Sequence, residues 1–563
     1  MEPLGDVVLV LHGHMPWVMR HGRWPHGEAW LYEAVLEVWL PLLGAIDEVH
    51  RRGARTPLTL GLTPVLLEQL RHPDFDRGFT RYLEAQLARA RVDQRDGDPS
   101  IRGLARDHWE PWLSAQRDRY GSLGGDIVGA YAELARAERI ELLGGFATHG
   151  YAALLKHDRC IRAQLEVGLA TSERHLGFRP KGIWLPECSF RPAGEWWTPV
   201  IGGHRNRDGV DRILEDAGVT HFVVDSHLFA GARSEGVWGE DGFDKVGWEA
   251  ADLDGGRGWR SVLEPHRVHT SGGPGRIAAF ARHPDVSEQV WSADAGYPGD
   301  ARYLEFHRRH GAKGLRYWQV TDRKADLGDK DWYDPEAAEA AVFSHAQHFA
   351  ALIQDRVRGW SEATGRRGCV TAPFDAELFG HWWHEGVGFL RDVLLTLHHD
   401  PTVQARTAAE RLAAHPPDKV AWLPEGSWGE AGDHRVWLNP TSEWMWAALY
   451  RAEDAFLGLR YRVVDEKAGE EDPGLRRLLE EAGRELLLLQ ASDWPFVVHS
   501  GGAVDYGHRR LCAHLERVES LLALVEARLD GAAPAPEHVA RRAEAAAASE
   551  GFALPDLDAW RHR

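Results

Sequence analysis

Two acidic residues stand where carboxyl groups can do chemistry. Glu187 closes the segment Gly182-Ile183-Trp184-Leu185-Pro186-Glu187, and Asp375 closes Thr371-Ala372-Pro373-Phe374-Asp375. Each follows a short apolar run that reads as a buried strand, and each has aromatic neighbours. A carboxyl group in that setting is costly unless it is paired or used. Two such groups beside aromatic platforms suit cleavage of a sugar–sugar bond, in which one acid is ionised and the other holds a proton. The plainer reading makes each acid the buried partner of an Arg or His. Glu377 lies two residues past Asp375, on the same side of a strand by alternation. Periodicity therefore leaves both as candidates for the second carboxyl group.

Histidines mark two further strand ends. In His12-Gly13-His14-Met15-Pro16-Trp17 the i, i+2 spacing points both imidazoles to one side. They suit hydrogen bonding to sugar hydroxyls, a metal site completed by Asp225, His227 or His149, or a purely structural role. His149 sits in Gly144-Gly145-Phe146-Ala147-Thr148-His149-Gly150-Tyr151, as a further wall of the same pocket. Trp is the most abundant aromatic residue, at 25 against 18 Phe and 12 Tyr. Indoles stack on the apolar faces of sugar rings and offer one N–H donor. Most of the 25 belong in a core; Trp196-Trp197, Trp382-Trp383 and Trp444/Trp446 are the clusters that stand out.

These groups need a scaffold. Val7–Leu11, Leu58–Leu62, Ile140–Leu143, Gly182–Leu185, Phe222–Val224 and Val370–Phe374 read as buried parallel strands. Helix-period stretches such as Trp30–His50 and Arg159–Leu176 separate them. Such alternation predicts an α/β architecture whose polar clusters gather at the ends of the strands. The expected organisation is a catalytic barrel over 1–400, with a helical insertion at 71–125 and a long irregular loop, a candidate lid, at 230–275. A helical C-terminal domain over 401–530 follows, then a linker, short helix and docking tail at 531–563.

Composition narrows the partners. The formal net charge of −19 argues against nucleic acid and anionic membrane, both of which need basic surface. Four scattered cysteines, Cys160, Cys188, Cys369 and Cys512, form no metal-binding spacing and suit a reducing compartment. No leader or long apolar run is visible, so the expected location is cytoplasmic. Oligomeric state is not legible.

Several segments carry a family resemblance. His12–Pro16, Gly145–Gly150, Trp184–Cys188 and Ala372–His381 resemble successive signature regions of glycoside hydrolase family 57, most closely those of its α-1,4-glucan branching enzymes. Val290–Asp300, Gly426–His434, Val436–Asn439 and Ser492–Phe496 extend the likeness, which runs from about residue 7 to 560. The resemblance implies an incomplete (β/α)7 barrel with a helical insertion and an all-helical C-terminal domain. It implies a transferase of glycogen biosynthesis that cleaves α-1,4 bonds and forms α-1,6 branches, with Glu187 as nucleophile, Asp375 as general acid/base, and no metal or other cofactor. It also implies an α-glucan substrate bound by His12, His14, His149, Trp291, Trp428, Trp437, Asp493 and Trp494. One departure stands out. The family's branching enzymes carry a Tyr at the tip of a loop after the nucleophile strand, whereas residues 228–290 contain no Tyr. Trp238, Phe243, Trp248 and Trp259 are the aromatics available there. That departure keeps an α-glucan hydrolase or 4-α-glucanotransferase as the alternative. A metal-dependent deacetylase using His12 and His14, and a non-catalytic glucan-binding protein, are the minor readings.

Overall fold

Nine consecutive residues, Gly5–Gly13, are buried on both faces, as expected of a parallel strand flanked by strands and covered by helices. The computed structural model describes residues 2–239, 242–244, 261–292, 294–311 and 314–561. Its fold is mixed α/β with a helical C-terminal region. Seven of the strands in the described residues, taken in chain order, make the central series: β1 (Gly5–Gly13), β2 (Leu58–Leu62), β3 (Ile140–Leu143), β4 (Gly182–Ile183), β5 (His221–Val224), β6 (Gly273–Ala281) and β7 (Gly368–Asp375).

β1 pairs in parallel with β2, from Leu9↔Leu58 to Gly13↔Leu62, and β2 with β3. β4 pairs with β5 and β5 with β6. Single parallel bridges, Gly144↔Ile183 and Arg282↔Thr371, join the ends of the two sheets. β7 then pairs with β1 from Gly5↔Gly368 to His12↔Asp375, so the series returns to its start. Helices fill the connections, among them Asp158–Leu176 after β3 and Pro335–Thr364 before β7. The run Glu28–Arg51 is apolar and long enough to cross a membrane, but it is largely buried within the protein.

The expected strands all form; within this series of seven, β6 is the one the sequence did not disclose. Its Gly273-Pro-Gly-Arg-Ile-Ala-Ala-Phe-Ala281 run has few of the β-branched residues that mark a strand. Part of the expected irregular loop at 230–275 is also strand. Arg233–Gly239 and Gly242–Asp244 pair antiparallel, and His266–Thr270 pairs antiparallel with β6. Trp248 and Trp259 lie outside the described residues, as do 240–241 and 245–260 of the candidate lid as a whole. Two short strands fall beyond residue 400. Val403–Ala405 pairs with β1, and Lys419–Trp422 joins the strands of the 233–270 region. Sheet pairing thus continues past the boundary expected at 400.

Helices occupy most of 75–122, including Phe75–Asp96 and Glu110–Ser122. The C-terminal helices Glu443–Arg460, Pro473–Leu489 and Val504–Leu529 do not form a core apart. Phe456, Leu486 and Trp494 share one buried cluster with Phe146, Leu154 and Ile183 from the strand ends. The tail is drawn into it: Trp560 is fully buried and packs on Phe456 at 4.9 Å.

One buried carboxylate ties the opposite ends of the strands. Asp6 on β1 has no exposed surface. It accepts from Arg367 at 2.8 and 2.9 Å and from Arg406 at 2.9 Å, with Arg411 at 3.2 Å. Burial raises its pKa, but the three guanidinium groups outweigh that and hold it below the usual value. Removing one partner of such a cluster strands the other charges. Asp6→Ala is expected to cost about 3 kcal/mol or more, read as a lower unfolding midpoint in denaturant. A midpoint within error of the parent protein refutes this role.

Candidate active site

The polar groups named from sequence converge at the ends of β1, β3, β4 and β7. His12 is opposite Asp375 in the β1–β7 register. The rings of His12 and His14 stack at 5.9 Å with an interplanar angle of 11°, as the i, i+2 spacing requires. His149 completes the set, 5.0 Å from His12 and 4.0 Å from His14. Trp184 backs them, its ring 4.5 Å from that of His12.

Glu187 lies on a tight turn, Pro186–Cys188, with φ 58° and ψ 24°. Cys188 (φ 48°) and His149 (φ 60°) share the left-handed region. A non-glycine residue there costs on the order of 1 kcal/mol or more and persists when its surroundings over-determine it. For Glu187 those surroundings are Trp428, Ser492 and His149. The Trp428 indole N–H donates to Oε2 at 3.0 Å, and the Trp428 backbone N–H donates to the Glu187 carbonyl at 3.1 Å. The Ser492 hydroxyl donates to Oε1 at 3.0 Å, and His149 Nδ1 is 3.7 Å from the same oxygen.

Their surroundings push the carboxyl groups to different degrees. Burial raises Glu187, and the Asp493 charge adds to this; the Trp428 and Ser492 donors and His14 work against both. Asp375 has no such donors among the described residues. Burial, then the Glu187 charge, raises it to about 7 despite His14 and Arg282. Glu377 is raised well above its usual value by burial and then by Asp375, although the His14 backbone N–H donates to its Oε1 at 3.2 Å. Asp375 therefore holds a proton readily near neutral pH and Glu377 is shifted in the same direction, while Glu187 is the acid best supplied with donors to its ionised form.

The remaining expectations divide. Asp493 is in place, accepting from His14 Nε2 at 3.0 Å. Trp291 and Trp428 make an aromatic wall with Trp184: Trp428 meets Trp184 edge-on at 5.0 Å and Trp291 at 6.2 Å. Trp437 and Trp494 are corrected. Each is 1% exposed, Trp437 packed on Tyr151 at 4.6 Å and Trp494 stacked on His514 at 5.9 Å. Both support the site from within the core instead of facing it. Asp225 pairs with both His227 and Arg282. Among the described residues, the atoms that come near enough to share a cation belong to His14, His149 and Asp493, within 4.8 Å; His12 is not in that set. The nitrogens concerned already have protein partners: His14 has Thr63 and Asp493, and His149 has His12 and Ser492. A cation there would have to displace those bonds. Ser492 itself was not legible, since a lone Ser before an acid carries no signal of its own. Away from these groups, Trp24, Trp30, Tyr82 and Phe306 line a cleft of about 570 Å³.

Known proteins resemble this chain over most of its length. The model of glycosyl hydrolase family 57 matches residues 8–424. That of the 1,4-alpha-glucan branching enzyme C-terminal region matches residues 450–557. A 1,4-alpha-glucan branching enzyme of Thermococcus kodakarensis is 38% identical over 514 residues, covering 91% of this chain and 72% of that protein. The crystal structure of a family 57-type branching enzyme from Pyrococcus horikoshii superposes with a TM-score of 0.88 at 34% identity, covering 100% of this chain and 97% of that one. An alpha-amylase from Thermotoga maritima gives 0.81 at 27% identity, with 99% of each chain covered.

The charge coupling of the two acids is measurable. Removing the Glu187 charge with Glu187→Gln should lower the pKa of Asp375 below about 7, because a like charge no longer opposes ionisation. Infrared titration, with the carboxyl band assigned by its loss in Asp375→Asn, reads this directly. An unchanged titration midpoint means the two carboxyl groups do not sense each other.

Proposed function

The chain belongs to glycosyl hydrolase family 57, and on that premise we propose that it is a 1,4-α-glucan branching enzyme acting on amylose-like or glycogen-like chains. The observation that carries the mechanism is the contrast between a donor-supplied Glu187 and an Asp375 that titrates near 7. Such a difference in hydrogen-bond supply lets one acid of a pair stay ionised while the other keeps its proton. The scaffold is read as the incomplete (β/α)7 barrel of the family, which the closed series of parallel strands supports. The domain limits are proposed as read from sequence, except that sheet pairing runs past 400 to Trp422.

The proposed reaction is a double displacement. Asp375 gives its proton to the glycosidic oxygen of an α-1,4 bond, and the freed chain leaves with a 4-hydroxyl. A Glu187 carboxylate oxygen forms an ester with the anomeric carbon. Asp375, now ionised, takes the proton of an acceptor's 6-hydroxyl, whose oxygen attacks the same carbon and releases Glu187. One α-1,4 bond becomes one α-1,6 bond, with the anomeric configuration retained. The charge influence of Glu187 on Asp375 favours Asp375 over Glu377 as the proton donor, because Glu187 is not among the groups that shift Glu377. His14 and Asp493 are proposed to bind sugar hydroxyls, with His12 and His149, 2% and 3% exposed, supporting them from behind, and Trp291 and Trp428 to stack on sugar rings. The enzyme is proposed to work in the cytoplasm without a resident metal.

The absence of Tyr over 228–290 favours a second reading. If no aromatic shields the ester, water competes with the acceptor and the outcome is hydrolysis. About 1.4 kcal/mol in relative barrier changes the partition tenfold. Proton NMR of amylose incubated with the protein decides: branching gives α-1,6 signals with few new reducing ends, and new ends without α-1,6 signals refute it. Asp375→Asn should lower kcat about 100- to 10,000-fold with little change in glucan affinity. In the parent protein, the rate should fall as pH rises through about 7, because the proton donor is then lost.

A further inference from the structure

Every proton in the hydrogen-bond path behind Glu187 has a determined place. Ser492 Oγ is 3.0 Å from Glu187 Oε1 and 2.9 Å from His149 Nδ1. An ionised carboxylate only accepts, and a hydroxyl has one proton. Ser492 therefore donates to Glu187 and must accept from His149, which puts the His149 proton on Nδ1. His149 Nε2 is then an acceptor, and it lies 3.0 Å from His12 Nε2, so His12 carries its proton on Nε2. The other His12 nitrogen, Nδ1, is buried with no partner among the described residues. It faces the β2 backbone at Gly61, where even a methyl group would come within 3.5 Å. A proton on Nδ1 would thus meet no acceptor, which selects the same tautomer independently. Burial, then neighbouring imidazoles, hold both His12 and His149 well below their usual pKa, so neither supplies a second proton.

The path is also clamped by the backbone. The Ser492 N–H donates to the His149 carbonyl at 3.1 Å, and Gly150 bridges to Ala491. The end of β3 and the turn before the helix Asp493–Ser500 are fastened together at the point where the hydroxyl is aimed.

We propose that Ser492 is a positioning residue for the glucan reaction: a one-way hydrogen-bond chain, His12 to His149 to Ser492 to Glu187, aims its hydroxyl at the carboxylate that attacks the sugar. This rests on the reading of Glu187 as nucleophile. The donor keeps Glu187 ionised in a buried site and, with Trp428 on the other oxygen, sets the plane of the carboxyl group. The direction originates at His12, two elements away. With no donor at position 12, the His149 proton can move to Nε2; Ser492 then turns its own proton toward His149 and the carboxylate loses its support. The other groups facing Glu187 are Trp428, Asp493, His14 and Asp375, with Cys188 and Tyr151 close by, and none of these changes in the variants below.

The test is the acid limb of the kcat–pH profile on amylose, with turnover counted as α-1,6 linkages plus new reducing ends, so that hydrolysis and branching both register. Ser492→Ala should move the limb upward by about half to one pH unit, because the ionised nucleophile loses a donor. Below the limb that is a drop of up to about tenfold. Ser492→Thr keeps a hydroxyl and should restore the limb. His12→Leu should shift it in the same direction, and His12→Leu with Ser492→Ala should shift it no further than either alone. A limb that stays in place in Ser492→Ala while Glu187→Gln is inactive overturns the proposal alone, as do shifts that add in the double variant. If Ser492→Ala does not fold, the Thr and His12 variants still decide: a shifted limb in Ser492→Thr or an unshifted one in His12→Leu overturns it. Turnover in Glu187→Gln overturns the nucleophile reading and this proposal with it.

Discussion

The Glu187 carboxyl group is held by two donors that its own part of the chain does not provide. Trp428 and Ser492 are 241 and 305 positions away. A buried carboxylate needs hydrogen bonds to its ionised form, and a residue at φ 58° needs a rigid frame. Both requirements are met only when the segment around 426–434 and the turn before Asp493 are docked on the strand ends. The buried cluster that joins Phe146 and Ile183 to Phe456 and Trp494 supplies that docking. Burying each such side chain is worth about 1.5–3 kcal/mol relative to exposing it, enough to offset the local strain. The C-terminal helices are thus part of the site as well as of the core.

Burial acts on the charged groups in opposite directions. It raises Glu187, Asp375 and Glu377, and it lowers His12 and His149. Neutral imidazoles can then pass hydrogen bonds along without adding charge beside the acids. The same low-polarity setting makes each remaining donor count for more than it would in water. Two N–H or O–H groups on Glu187, and none from side chains on Asp375 among the described residues, therefore separate the proposed nucleophile from the proposed proton donor. Aromatic rings complete the enclosure. Trp184 backs His12, and Trp428 both donates to Glu187 and forms a wall with Trp291.

Much of the scaffold was legible. Continuous apolar runs such as Val7–Leu11 and Val370–Phe374 read as buried strands and are strands, because a parallel strand covered on both faces tolerates little else. β6 escaped notice, since its Ala- and Gly-rich residues pack by being small and not by being strongly apolar. The strands at 403–405 and 419–422 were equally hidden, being only three and four residues long. In the site, His12, His14, His149, Glu187, Asp375 and Asp493 were named and converge. Trp437 and Trp494 were implied by the family resemblance, as Trp428 was, yet are buried in the core. Composition registers that an indole is present, and only packing decides which way it faces.

The amino-acid order by itself determined the strand–helix alternation, the side of β1 that carries His12 and His14, and the carboxyl groups at the ends of β4 and β7. Those follow from periodicity, which is local. What the tertiary structure decided is which groups meet across long stretches of chain. It joined Ser492 to Glu187 and His149, chose the His12 tautomer by leaving Nδ1 against the β2 backbone, and gave Asp375 a proton near neutral pH by burying it within reach of the Glu187 charge. Hydrogen-bond direction and pKa depend on distance, burial and neighbouring charge, and none of these exists until the chain has closed on itself.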